Sequence, residues 1–121
     1  MGIDFTKVAG IHLDALQLRA ARMKILASNI ANAHTPGYQA RDIDFAASLA
    51  QARAEEMGGA AFGGGAPELL YRVPYHPAQD GNTVELGVEQ AEFSQNAMDF
   101  QTSLTFINMK LRGLAKAIAG Q

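Results

Sequence analysis

FSQNAMDFQTSLTFINMKLRGLAKAI, residues 93–118, carries the longest regular pattern in the chain. Written as heptads, Ala97, Leu104, Leu111 and Ile118 fall at a, while Phe93, Phe100, Ile107 and Leu114 fall at d. An unbroken apolar seam of this period predicts a long helix packed along a partner. Asn96, Gln101, Ser103 and Asn108 flank it, neutral polar groups in place of charge pairs. Met98, Phe106 and Met109 lie off the seam, so this helix offers apolar groups on more than one side. Burying one seam does not offset the backbone entropy lost in ordering the helix, which points toward assembly with neighbours.

Residues 8–33 read as a second long helix. Leu13, Leu16, Ala20, Met23, Ala27 and Ile30 recur at alternating spacings of three and four. Ile11, Leu18 and Ile25 form a second stripe on another side. The helix then has to stop, because Pro36 disfavours helical dihedrals at Thr35. Pro36-Gly37 suits the centre of a type II turn, where glycine takes a positive φ without a Cβ clash. Asn29 and Asn32 place two amides on the last turns, near carbonyls that lack intrahelical donors.

Between the long helices the pattern is irregular. Asp44 is a candidate N-cap for a short helix over 45–56, with Phe45, Leu49 and Ala52 on one face. The glycine-rich stretch 57–68 reads as a flexible loop, and it lacks the Lys-Ser/Thr ending of a phosphate-binding loop. Residues 69–87 read as an extended segment or irregular hairpin. Pro74 and Pro77 interrupt it, Asp80-Gly81-Asn82 makes a turn, and Thr83–Leu86 alternates like a short strand.

Composition narrows the function classes. The 121 residues have a formal charge of −2, and residues 1–56 carry six side chains of each sign. No basic arm is present, which argues against nucleic acid as a partner. There is no cysteine, hence no disulfide and no thiol catalysis. The first residues, with Asp4 and no apolar run, do not resemble a cleavable secretory signal, and Asn, His, Pro and Gly interrupt the charge-free run 25–40, so no membrane span is expected. Gly2 with Thr6 fits the loose myristoylation pattern; the plainer reading is a start codon followed by a small residue. His12, His34 and His76 are far apart and form no metal-binding spacing. Ser28, Ser48, Ser94 and Ser103 lie in helical patterns without a nucleophile elbow. Asp42 and Asp44 flank Ile43 at a helix start, where carboxylates ordinarily cap and solvate. No enzyme, cofactor, metal or small-molecule substrate is expected.

LASNIANAHTPGYQARDIDF (26–45) resembles the N-terminal signature of the bacterial flagellar axial family, the rod and hook proteins. Ser28, Asn29, Ile30, Ala31, Asn32, Thr35, Pro36, Gly37 and Tyr38 match that signature. ARDIDFAASL (40–49), DGNTVELGVE (80–89) and SLTFINMKLRGLAKAI (103–118) narrow the likeness to the proximal rod subunits, with Asp80, Gly81, Asn82, Thr83 and Val84 as the turn.

The resemblance implies a mainly α fold. Terminal helices, residues 1–35 and 88–121, pair as a coiled-coil-like inner-tube domain. Between them lie the turn, the short helix 45–56, the Gly-rich loop 57–68 and the extended or β-hairpin segment 69–87. Leu13, Leu16, Met23, Ile30, Phe93, Phe100, Leu104, Ile107, Leu111, Leu114 and Ile118 are the expected packing residues. The implied role is a structural subunit of the proximal rod of the flagellar basal body. It would assemble helically with itself and other rod proteins, meet the adaptor to the membrane ring and the export gate, and carry torque. Export would run through the flagellar type III system without a cleaved signal, to the periplasmic rod. The competing reading is a small helical-hairpin binding module or export adaptor acting as a dimer.

Overall fold

The computed structural model describes residues 5–57 and 68–120. The core of the expected Gly-rich loop, 58–67, lies outside the described residues, as do residues 1–4 of the expected N-terminal unit. The elements in chain order are α1 (Phe5–Ala31), β1 (Arg41–Ile43), α2 (Phe45–Met57), β2 (Leu69–Tyr71) and α3 (Leu86–Ile118). The fold is mainly helical. α1 and α3 pack antiparallel along their length, as cross-helix pairs show in order: Asn29 with Glu89, Arg22 with Glu92, Arg19 with Asp99, His12 with Phe106.

α1 ends where the sequence demands. Asn32 N–H still reaches Ser28 O at 3.1 Å, but Ala33 N–H bonds to Ile30 O at 3.2 Å, tightening the last turn. Tyr38 N–H closes back on Thr35 O at 3.2 Å, and Gly37 sits at φ 73°, the type II geometry expected of Pro36-Gly37. Asp44 caps the start of α2: its Oδ1 accepts from Ala47 N–H at 3.1 Å while its carbonyl accepts from Ser48 N–H.

The middle of the chain has the expected short helix and a short antiparallel pairing, but with a different partner strand. β2 pairs antiparallel with β1 across α2, in the register Arg41↔Tyr71, Asp42↔Leu70 and Ile43↔Leu69. Its partner is therefore not 83–86. Thr83–Leu86 is no strand: Thr83 N–H bonds to Tyr38 O and Thr83 Oγ1 accepts from Ala40 N–H. That docking spends the polar groups of Thr83 on the 38–40 segment, and α3 begins at Leu86, two residues earlier than expected.

The faces of α1 are rotated relative to the apolar pattern. The buried line runs Ala15, Leu26 and Asn29, with Arg19 and Arg22 between them. At about 100° per residue it lies roughly a third of a turn from the expected stripe. Leu13 is exposed, and Leu16, Met23 and Ile30 are half-buried. On α3, Phe93, Phe100, Leu104, Ile107 and Leu114 are half-buried, whereas Leu111 and Ile118 are exposed. The side chains sealed between the helices include Glu89 and Asn96, beside Leu26 and Asn29.

Candidate functional site

Two motifs that are remote in sequence, SNIANAHTPGY and DGNTV, come together where α1 hands the chain to β1. Asn82 joins them. Its Nδ2 donates to the carbonyls of Asn32, Ala33 and Thr35 at 2.9, 3.0 and 2.8 Å, gathering the acceptors that follow the end of α1. Asn82 Oδ1 accepts from Val84 N–H at 2.7 Å, and Asn82 N–H donates to Asp80 Oδ1, an Asx turn. Gly37 N–H donates to Asp80 O at 2.9 Å, and Gly81, at φ 76°, passes so near that a Cβ there would meet the Gly37 Cα at 3.7 Å. Two glycines at positive φ let two turns lie against each other.

The two signature asparagines divide the work. Asn32 Nδ2 donates back to Ser28 O at 2.8 Å and its Oδ1 accepts from Thr35 Oγ1, a local lock on the helix end. Asn29, expected near the same carbonyls, points elsewhere. It donates to Arg41 O at 2.6 Å and accepts from Arg41 N–H at 3.1 Å, standing in for a strand neighbour of β1. It also donates to Glu89 Oε2 at 2.9 Å. The reason is position: Asn29 faces α3 and β1, Asn32 the turn. Tyr38 Oη reaches both Ser28 Oγ and Asn29 Oδ1, bracing the exit.

Below this lock lies an ionic network. Arg22 grips Asp42 with both arms of its guanidinium, 2.9 Å each, and bonds Glu92 at 2.7 Å. Arg72 donates to Asp42 Oδ2 at 2.6 Å, and its Nε lies 2.7 Å from Glu89 Oε1, off the hydrogen-bonding direction, so that contact is an ion pair alone. Asp42 therefore does not solvate a helix start, as the pairing with Asp44 suggested. It is bound by arginines from α1 and from the segment after β2. Burial pushes the Asp42 carboxyl up, but bonds from Arg22 and the Ile43 amide, with the charges of Arg22 and Arg72, hold it below the usual aspartate range. Its bond to Asp42, against the opposing effect of burial and with help from Glu92, raises Arg22 above the usual arginine value. A buried charge is tolerable only when paired, and these pairs tie α1, β1, β2 and α3 into one unit.

Farther along, Asn96 Nδ2 donates to Arg19 O at 2.8 Å, and the Arg19 guanidinium stacks 4.1 Å over the Phe45 ring at the start of α2. Asn29 and Asn82 could be picked out by type and context. Arg22, Arg72, Glu89 and Asn96 could not, because their pairing depends on contacts 17 to 77 residues apart. Among the described residues no group of three or more His, Cys, Asp or Glu gathers around a metal-sized point, and no helix is long and apolar enough to cross a membrane. The arrangement is suited to holding geometry.

Known proteins resemble this chain in sequence. A family model described as "Flagella basal body rod protein" matches residues 11–39, the stretch that runs through α1 and its exit turn. Relatives extend the likeness to the whole chain. The flagellar basal body rod protein FlgB of Cereibacter sphaeroides is 50% identical, covering 97% of this chain and 98% of the relative. FlgB of Aeromonas hydrophila is 44% identical over 100% and 99%, and FlgB of Escherichia coli 37% identical over 87% and 88%. The chain belongs to the FlgB family of flagellar basal body rod proteins and is a structural subunit of that rod.

Proposed function

We propose that this subunit builds the proximal end of the rod, stacking helically with copies of itself and with other rod proteins. There it would join the membrane-ring adaptor and export gate to the shaft that carries torque. The observation that carries this reading is the mismatch between pattern and burial. The α3 seam is regular for more than three heptads, yet in the single chain Leu111 and Ile118 are exposed and the rest is half-covered. An apolar seam of that length, left open beside a polar interior, suits neighbours that complete it.

The residues divide accordingly. Leu13, Leu16, Met23 and Ile30 on α1, with Phe93, Phe100, Leu104, Ile107, Leu111, Leu114 and Ile118 on α3, pack between subunits as well as within one. The signature Ser28–Tyr38 and the turn Asp80–Val84 fix the direction in which the chain leaves the helix pair. The units are the paired helices, 1–35 with 88–121, and the connecting 36–87. Delivery through the flagellar type III system, without a cleaved signal, fits a chain that orders on assembly. Its role is mechanical: stiffness from many modest contacts.

Cryo-electron microscopy of intact basal bodies tests this. Density for α1 and α3 in the inner tube next to the membrane ring is the expected result. Finding the chain only at the distal rod, or only as a free dimer, would contradict it.

A further inference from the structure

The two ends of the helix pair differ in chemistry. Beside the start of α3, residues 69–75 run as an extended arm. Leu69, Leu70, Tyr71, Val73 and Tyr75 are all exposed, Val73 and Tyr75 by 84% and 80%. Arg72 turns inward to Asp42 and Glu89, so the arm is anchored at its middle, with Val73 and Tyr75 its most exposed side chains. Glu89 is buried and Glu92 is bonded to Arg22, which leaves Glu68, Asp80 and Glu85 as the carboxylates of this end, against the exposed Arg41 that lies over the Tyr71 ring. Pro74 and Pro77 lack amide donors, so the arm is suited to side-chain docking and ill suited to adding a strand.

The far end of α3 is the complement. Beyond Asp99 it bears Lys110, Arg112 and Lys116, all exposed, and no acidic side chain. Phe106, Met109, Lys110, Gly113 and Leu114 line an open apolar depression of about 350 Å³. Gly113 weakens a helix interior, and a Cβ there would meet no described atom within 4 Å. The arm cannot fill this depression in its own molecule, since Glu89 and Met109 stand about 30 Å apart along α3 at 1.5 Å per residue.

We propose that the 69–75 arm of one copy seats in the Phe106–Leu114 depression of a second copy, its acidic surround facing the basic rim. Resting on the rod reading above, this contact joins unlike surfaces, so it propagates instead of closing. Opposite charge sets the orientation of approach and apolar contact holds it.

The chain has no cysteine, so paired thiols report the contact without background. The full chain carrying Val73→Cys and Met109→Cys is expressed in flagellated cells lacking their own copy, and isolated basal bodies are mildly oxidised. A ladder at whole multiples of the chain mass is expected from the double variant, and monomer alone from either single variant. Basal bodies that contain the double variant but yield only monomer, or a link from position 73 to a different protein, would overturn the proposal and leave the rod reading intact. Absence of the chain from basal bodies would overturn both.

Discussion

Asn29 and Asp42 show how single residues set the geometry of this subunit. Each is polar and each joins α1 to another element; Asn29 is sealed from water and Asp42 is mostly covered. Replacing Asp42 by Asn strips the charge that Arg22 and Arg72 share and is expected to cost about 3 kcal/mol near neutral pH, measured by urea unfolding. The pH dependence has a definite sign. The folded Asp42 carboxyl titrates below its unfolded counterpart, so its stabilisation is complete above about pH 4 and fades as the pH falls through the folded value. Arg22, raised above the usual arginine value, stays charged throughout this window. An acid titration should therefore show a loss in the native chain that Asp42→Asn lacks. Asn82→Ala removes a donor shared by three carbonyls at the α1 exit, two of which keep a backbone amide, and a loss of about 1–2 kcal/mol is expected in the same measurement. Gly37→Ala tests the turn alone: φ is 73° and no described atom lies within 4 Å of the added methyl, so the expected cost, about 1 kcal/mol, is backbone strain without a clash.

At the scale of elements, α1, the type II turn and the Asp44 cap were all legible in the sequence, because each depends on residues within a turn or two of one another. The buried face of α1 was not. An apolar stripe marks every surface that leaves water, whether it meets the same chain or a neighbour, and periodicity cannot separate the two. The stripe through Leu13 and Met23 is the clearer pattern, yet the line through Ala15, Leu26 and Asn29 is the one sealed within the chain. The β pairing was hidden for a related reason: β1 and β2 are three residues each and meet across α2, so no local alternation announces them. The seam of α3 belongs to both worlds. Leu104→Asp or Ile107→Asp places a carboxylate where half the side chain is already covered and neighbours would cover the rest. Loss of incorporation into basal bodies and loss of motility are expected for either variant. Pro36→Ala, which loosens the exit turn without removing burial, should leave motile cells.

For the molecule as a whole, packing is uneven. One end of the helix pair is cross-linked by the Arg22, Asp42, Arg72 and Glu89 network and locked by Asn82. The other has a basic helix end with Leu111 and Ile118 open to water. A subunit built this way keeps its exit turn defined while its α3 tail waits for neighbours, which fits a chain that completes itself on assembly. Hydrogen exchange resolved along the chain tests this most directly, on the dilute full-length protein and on the same protein within basal bodies. Amides around Asn29, Asp42 and Glu89 should be protected in both samples, and those of residues 104–118 should exchange freely in the dilute chain and slowly in the rod. Strong, uniform protection of α3 through Ile118 in the dilute monomer would contradict the account.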